Sequence, residues 1–213
     1  MEFVPQDTRL VSGAYWLIKL RWIAIVWVST VTFIASHFFN IPVQNAEFYC
    51  VSAGLVIENI LSLILLQYYK QKDNQNNLNF IKGIINFQII FDLFALIILI
   101  HYSGGIENPI YIFFIFHIVI TSLFLSKLNS YLITTYALIL LCGMTFLEYY
   151  DLIPHYDLWL KRFVRNNLYK DVSYILELLT VFIISSYLLA YMANYIVSLL
   201  RRQQKALQQA NSL

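Results

Sequence analysis

The sequence predicts an all-α membrane protein, a bundle of six transmembrane helices. Of its 213 residues, 60% are hydrophobic and 12% are charged, which is too apolar for the surface of a soluble domain. The apolar residues form six long runs, and each run must be helical because lipid offers no partner for backbone polar groups. This composition excludes an ordinary soluble enzyme. The dispersed cations and the net charge of +2 also disfavour a nucleic-acid binder.

The six predicted spans are separated by residues that end or begin helices. Pro42, the Gly104-Gly105 pair, Pro109 and Pro154 all lie in or beside the connections. We therefore predict a transmembrane domain over 1–200 and the start of a cytoplasmic linker helix over 201–213. The spans cover approximately 16–39, 48–69, 80–102, 110–126, 131–149 and 172–200.

The distribution of Lys and Arg predicts the side on which each connection lies. With the N-terminus in the cytoplasm, ten cations fall on the inner side and four on the outer side. Both ends of the chain are then cytoplasmic. The inner cations are Arg9, Lys19, Arg21, Lys70, Lys72, Lys82, Lys127, Arg201, Arg202 and Lys205, and the outer ones are Lys161, Arg162, Arg165 and Lys170.

Two segments beside the last span carry helical patterns of their own. Apolar residues at helical spacing between Trp159 and Leu168 favour a helix lying flat at the lipid headgroups, although a solvated loop with aromatic anchors would give a similar pattern. The last span runs without a breaker into a seam that suits a two-helix coiled coil. Because the seam continues to the final residue, we expect a cytoplasmic domain to follow. The seam residues are Ile196, Leu200, Gln203, Leu207 and Ala210.

Ionisable side chains inside the spans are costly in lipid, so each is a candidate functional residue. Glu58 and Asp92 lie near the middle of consecutive spans, and we expect at least one of these carboxyls to be protonated. Together with His101 and His117 they could form a polar relay, or they could serve as hydrogen bonds between helices. Neither histidine has a carboxylate or Cys at helical spacing, so no metal site is predicted.

The remaining polar and sulfur-containing residues of the spans have plain interpretations. His37, Glu148 and Glu177 lie near the predicted outer ends of spans, where side chains can reach the headgroups, so we interpret them as interfacial. Cys50 and Cys142 lie in apolar runs without a CxxC motif, and we predict that both are packing residues.

The densest local signal is the connection between spans three and four. The glycine pair permits the backbone angles that end a helix, Asn108 is a good N-cap, and Pro109 is a good first helical residue. The same parts also suit a small carbonyl-bearing ligand such as a quinone, since glycines allow close approach and an Asn amide can donate to a carbonyl oxygen. Its tail would lie beside aromatic residues such as Tyr111, Phe113 and Phe114.

The segment Gly104-Gly105-Ile106-Glu107-Asn108-Pro109-Ile110 resembles the Gly-Gly-x-x-Asn-Pro-Phe heptapeptide of RegB/PrrB-type redox-sensing histidine kinases. The resemblance covers essentially the whole chain, including Leu20-Arg21-Trp22-Ile23-Ala24 and Phe91-Asp92-Leu93. It implies the six-span membrane sensor of a two-component kinase in the bacterial inner membrane, with ubiquinone or menaquinone bound at Gly104, Gly105, Asn108, Pro109 and Ile110. The heptapeptide's final Phe is Ile110 here.

The resemblance also implies partners: the quinone pool, a second copy of the chain, and a response regulator reached through a kinase domain that this chain lacks. None of the four histidines follows the last span, so the chain by itself is not expected to be a kinase. Two alternatives stay open. One is a six-span kinase sensor of bilayer state or of a partner protein, and the other is a small membrane transporter or enzyme that uses Glu58, Asp92, His101 and His117.

Overall fold

The computed structural model describes residues 6–38, 44–70, 77–156 and 167–211, and these residues form helices and turns without a strand. The all-α prediction is confirmed. The predicted flat helix between Trp159 and Leu168 falls mostly outside the described residues. The six α-helices are α1 (Gln6–His37), α2 (Asn45–Lys70), α3 (Asn77–Tyr102), α4 (Phe113–Phe124), α5 (Lys127–Tyr149) and α6 (Val172–Asn211).

Five of these helices are long and apolar enough to cross a membrane, and the fourth is shorter. α4 is preceded by a 3-10 segment, Pro109–Ile112, which rises about 2.0 Å per residue against about 1.5 Å in an α-helix. The two segments together reach about 26 Å, close to the thickness of the hydrocarbon core. Because the 3-10 segment rises more per residue, the 16 residues 109–124 reach nearly as far as a longer α-helical span.

The helices form two layers of three. α1, α2 and α3 pack together, α4, α5 and α6 pack together, and α3 joins the layers through α4 and α5. The main core lies along this junction, with Ile85, Leu93 and Ile100 of α3 and Leu141 of α5 fully buried. α4 and α5, which are joined by a short turn, are neighbours.

Small and polar residues hold α6 against α5 toward the side of the bundle predicted to be inner. Ser186 and Ala190 are fully buried, which allows close approach of the two helices. Asn194 donates its amide hydrogens to the hydroxyl of Ser130 at 3.0 Å and to a carbonyl of its own helix, and Ser130 shares a hydrogen bond with Ser122 of α4 at 2.7 Å. The three helices are thus connected where α4 turns into α5.

α6 continues beyond the end of the bundle. Its 40 residues span about 60 Å, twice the hydrocarbon thickness, and residues 201–210 are exposed throughout. The prediction of a last helix without a break is confirmed. Dimerisation through its seam stays a prediction.

The charge count assigned Arg21 to the inner interface, and this assignment is wrong. It lies in the middle of α1 with only 4% of its surface exposed. The packing interpretation of the cysteines is wrong for Cys50, which is exposed, whereas Cys142 is partly buried. An exposed side chain on a spanning helix contacts lipid, and a Cys is apolar enough to do so.

Candidate functional site

The connection between α3 and α4 is a compact turn at the side predicted to be outer. Gly104 and Gly105 have φ angles of 120° and 55°, in the left-handed region that favours glycine. Ile106, the next residue, is fully buried and anchors the turn in the core. A short 3-10 helix, Gly105–Glu107, leads to Asn108.

Both polar atoms of the Asn108 side-chain amide make hydrogen bonds within this turn. Its Nδ2 donates to the carbonyl and to the hydroxyl of Ser103, both at 2.8 Å, and its Oδ1 accepts from the backbone N–H of Ile110 at 3.0 Å. This is the N-cap expected from the sequence. Pro109 and Ile110 follow on the exposed surface. The turn is therefore held by its own hydrogen bonds, and its polar side chain points inward.

A buried carboxylate lies directly beneath the turn. Glu148, in the last turn of α5, has a fully buried side chain, and its Oε1 is 2.7 Å from Nδ1 of His101. Its Oε2 is 2.7 Å from Nδ1 of His155. A Cβ atom added to Gly105 would lie 2.3 Å from Oε2, so the second glycine is required by the carboxylate as well as by its φ angle. The interfacial interpretation of Glu148 was wrong.

A second carboxylate completes this outer cluster, which we define as His101, Glu107, Glu148 and His155. Oε2 of Glu107 lies 3.9 Å from Nε2 of His155, and the side chains of both residues are nearly buried. Because the four residues come from the end of α3, the turn, the end of α5 and the segment after α5, the cluster joins four parts of the chain.

The outer cluster also reaches the start of α6. The ring of His155 stacks on Tyr169 with centroids 3.8 Å apart and planes 10° apart, and the backbone N–H of Tyr169 donates to Glu107 at 3.1 Å. Two residues later Asp171 caps α6 by accepting from the N–H of Ser173 at 2.9 Å. Lys170 binds the Asp151 carboxylate and the Tyr149 carbonyl, both at 2.6 Å. The residues before α6 are thus attached to the end of α5.

Two grooves lie on either side of the turn, and both are mostly apolar. The first, about 460 Å³, separates the start of α4 from α6. Its polar groups are Tyr111, Tyr174, Glu177 and Ser185, and its walls include Ile115 and Phe182. The second, about 400 Å³, separates α3 from α5 and is lined at its outer end by His101 and Tyr102. Both volumes fall within the range of small-molecule sites.

The two mid-membrane carboxyls belong to a different cluster. The guanidinium of Arg21 binds Asp92 through two hydrogen bonds of 2.7 and 2.8 Å, and it also binds Glu58 and the Asn59 side chain. Ser62 donates to Glu58 at 2.7 Å. We call these residues the arginine cluster. The expectation of a protonated carboxyl rested on an apolar setting, and in the structure both carboxyls have the Arg21 guanidinium as a partner.

The four residues of the predicted polar relay therefore lie in three places. Glu58 and Asp92 meet through Arg21, His101 belongs to the outer cluster, and His117 faces the Phe113 carbonyl of its own helix at 3.0 Å. Neither groove is lined by Glu58, Asp92 or His117. Among the described residues, no group of three or more His, Cys, Asp or Glu side chains has an arrangement that could hold a metal ion.

A family model described as the PilS-like transmembrane domain matches residues 6–207, nearly the whole chain. The chain belongs to the PilS-like transmembrane domain family. Searches of curated proteins and of solved structures gave no match. The family supports a membrane domain of the sensor-kinase type. Within that type, the RegB/PrrB-type redox sensor remains a finer hypothesis.

In this PilS-like domain, sequence reasoning missed Arg21, Glu107, Glu148 and His155 as site residues. For Arg21 a signal existed, because it stands well inside an apolar run, as Glu58 and Asp92 do in the next two spans. For the outer cluster the signal was weak. Side chains at helix ends have a plain interfacial explanation, and their mutual contacts depend on helix order and rotation, which the sequence does not give.

Proposed function

We propose that this PilS-like domain is the membrane sensor of a two-component histidine kinase, and that it signals by moving α6. The observation that carries the proposal is the continuity of α6. One unbroken helix begins beside the outer cluster, packs on α4 and α5, and extends as an exposed helix beyond the bundle. A kinase domain joined to that helix would receive any rotation or shift of its outer half and act on a cytoplasmic response regulator.

The exposed part of α6 is suited to pairing with a second copy of the chain. In the heptad defined by the seam, its cations Arg201, Arg202 and Lys205 fall on the outside positions, away from the partner. The positions that flank the seam carry Gln204 and Ala206, which add no like-charge repulsion between identical chains. Leu200 and Leu207 are 50% and 65% exposed, as expected for a seam that lacks its partner helix.

The same heptad continues upward into the bundle. Leu179, Phe182 and Ser186 occupy seam positions on the outer half of α6, where they are buried among the other helices. Asn194 is the last buried residue in the described part of α6, and beyond it the helix leaves the bundle. Since α6 is unbroken, a rotation of its outer half against α4 and α5 would also rotate the dimer seam.

The proposed ligand is a quinone or quinol from the membrane pool, bound in the groove between α4 and α6. This groove begins with Tyr111, directly after the turn, and its other wall is the signalling helix itself. Tyr111 and Tyr174 offer hydroxyls to a carbonyl or a quinol hydroxyl. Ser185 donates to the Phe182 carbonyl at 3.1 Å, so its oxygen can accept from a quinol hydroxyl. The apolar walls suit a ring and its tail. The Asn108 amide makes its hydrogen bonds within the turn, so we do not expect it to donate to the ligand. The residues of the turn would instead shape the groove. These residues are Gly104, Gly105, Asn108, Pro109 and Ile110.

A ligand shifts such an equilibrium only if it prefers one of two states. Each tenfold preference supplies about 1.4 kcal/mol, so one or two hydrogen bonds that exist in only one position of α6 would suffice. A quinol donates through its hydroxyls and a quinone only accepts, so the two redox forms can favour different positions of the Tyr111 and Tyr174 hydroxyls.

The test is a titration of the full chain in lipid nanodiscs with a short-tailed ubiquinone, its quinol, and a menaquinone analogue. Ser185→Leu narrows the groove and should weaken binding by about tenfold or more. Asn108→Ala should weaken it less, through distortion of the turn. Thr180→Leu, on an exposed part of the same helix, is the matched control and should bind as the wild type does. Absent binding, or binding that Ser185→Leu leaves unchanged, would leave a kinase sensor that responds to bilayer state or to a partner protein.

A further inference from the structure

The side of the bundle predicted to be inner carries exposed cations on the layer formed by α4, α5 and α6. We call them the basic patch, and they are Lys127, Arg201, Arg202 and Lys205. Lys127 begins α5, and the other three follow the apolar run of α6. These three helices contain two carboxylates, Glu148 and Glu177, and both lie in the outer halves of their helices. No carboxylate of this layer therefore lies at the level of the basic patch.

A hydrogen bond connects the basic patch to the end of α4. The guanidinium of Arg201 donates through one Nη to the Leu123 carbonyl at 3.3 Å. This carbonyl belongs to the last turn of α4, where the helix dipole favours a cation. The contact uses one of the five N–H groups of a guanidinium. Lys127 follows Leu123 closely along the chain, so their Cα atoms lie within about 15 Å of each other. The cations of α5 and α6 are therefore neighbours.

The basic patch lies at the depth of lipid headgroups. The part of α6 from 172 to 200 spans about 43 Å, which is about the thickness of a bilayer with its headgroup regions. Lys205 lies only about 7.5 Å further along the helix axis than Leu200. Side chains of a helix lean toward its N-terminus, which for α6 is the membrane side. Their long stems therefore bring the charges back toward the headgroups.

We propose that the basic patch binds the headgroups of anionic phospholipids, and that this contact restrains the rotation of α6 where the helix leaves the membrane. Charge complementarity identifies the occupant. Anionic headgroups attract cations that lie beside a transmembrane helix, and a guanidinium binds phosphate oxygens through paired N–H groups. This binding surface needs no quinone, and it goes beyond the proposed function.

The restraint follows from the arrangement of the cations around α6. Arg201, Arg202 and Lys205 fall within an arc of about 100° around the helix axis. In the heptad of the seam they occupy outside positions, so lipid contact and pairing with a second copy use different faces of the helix. Rotation of α6 would turn this arc toward the bundle or toward the partner helix, away from the headgroups. Lipid contact therefore favours one orientation of the helix.

The experiment measures which lipid lies beside the basic patch in the full chain, reconstituted in vesicles after Cys50 and Cys142 are replaced by alanine. A bimane label at Ser198→Cys, one heptad before Lys205, is quenched by brominated phosphatidylglycerol or by brominated phosphatidylcholine. We expect phosphatidylglycerol to associate about fivefold more strongly at this position. The same label at Thr180→Cys, in the outer half of α6, should report no such dependence on the basic patch.

Two pairs of substitutions remove the same charge from different layers. Arg201→Gln with Arg202→Gln should lose most of the preference at Ser198, and Arg201→Lys with Arg202→Lys should keep it. The charge-matched control is Lys19→Gln with Lys82→Gln, which removes two cations from α1 and α3 and should leave the preference nearly unchanged. The substituted side chains are exposed or half-buried, so the variants should fold as the wild type does.

The same vesicles test the restraint on α6 and distinguish a lipid from a free anion. Amide hydrogen exchange of residues 201–208 should be about threefold slower with phosphatidylglycerol than with phosphatidylcholine alone. Arg201→Gln with Arg202→Gln should remove this difference. Inorganic phosphate, compared with chloride at equal ionic strength, should not change the lipid preference.

Several results would overturn the proposal. Equal association of the two lipids at Ser198 in the wild type, or an equal loss from the two pairs of substitutions, would show that the basic patch is not a lipid-binding surface. A preference abolished by inorganic phosphate would assign the patch to a free anion. A lipid preference without a change in hydrogen exchange would show that the contact does not restrain α6.

Discussion

The arginine cluster and the outer cluster are both networks of buried charges between helices, yet they are built from different cations. The arginine cluster uses a guanidinium, which stays charged at any pH that the protein meets. The outer cluster uses imidazole rings, each of which places one nitrogen 2.7 Å from the Glu148 carboxylate. The first therefore fixes α1, α2 and α3 relative to one another. The second is attached to the start of α6 through Tyr169.

The largest effect is expected from breaking the arginine cluster. Arg21→Met leaves the carboxylates of Glu58 and Asp92 buried without a cation, and the free energy of unfolding should fall by about 3–5 kcal/mol. The triple variant Arg21→Met, Glu58→Gln, Asp92→Asn removes the uncompensated charges and should recover much of this loss. Reversible unfolding in mixed micelles measures both. A single variant as stable as the wild type would show that the cluster does not hold the first three helices.

A smaller loss is expected at the contact between the turn and Glu148. Gly105→Ala places a Cβ against the carboxylate and forces alanine into a left-handed backbone, which should cost about 2–3 kcal/mol. Gly83→Ala in α3 is the matched control, since nothing lies within 4 Å of its added Cβ. It should be neutral or stabilise by about 0.5–1 kcal/mol. Equal effects of the two substitutions in the same unfolding assay would contradict the close contact.

The smallest effect is expected from the cap of the turn. Asn108→Ala removes the acceptor for the Ile110 N–H and the donors to Ser103, and it should cost about 1 kcal/mol. Asn108→Asp keeps the acceptor and loses the donors, so its melting temperature should lie between those of the wild type and the alanine variant. A larger loss in the aspartate variant than in the alanine variant would mean that the cap is not the main role of this side chain.

The helices of this domain were predictable because apolar length and helix-ending residues are local properties. The turn illustrates this well: Gly104, Asn108 and Pro109 have the structural roles that their residue types predict. The fourth span was also found, although its 3-10 opening was not. Hydropathy indicates how many apolar residues a span has, but it does not indicate the helical rise per residue, which is larger in a 3-10 segment than in an α-helix.

The clusters were less predictable because they depend on how helices are rotated. Glu58 and Asp92 could be placed at one depth by counting residues, but their partner Arg21 was assigned to the inner interface by a rule that counts charges without regard to burial. Glu148 lies at the end of an apolar run and His155 lies in the connection that follows it, where an interfacial position is the ordinary explanation. Only the packing of α3 against α5 brings His101 to Glu148.

The most direct test of the account is disulfide crosslinking of the exposed part of α6 in vesicles, after Cys50 and Cys142 are replaced by alanine. Single cysteines at Leu200, Gln203, Leu207 and Ala210 should crosslink between copies, and those at Arg202 and Lys205 should not. The relative yields along the seam should differ between added short-tailed ubiquinone and its quinol, and Ser185→Leu should abolish the difference. Crosslinking without heptad periodicity, or a pattern that is the same with both redox forms and in both proteins, would contradict a sensor that signals through α6.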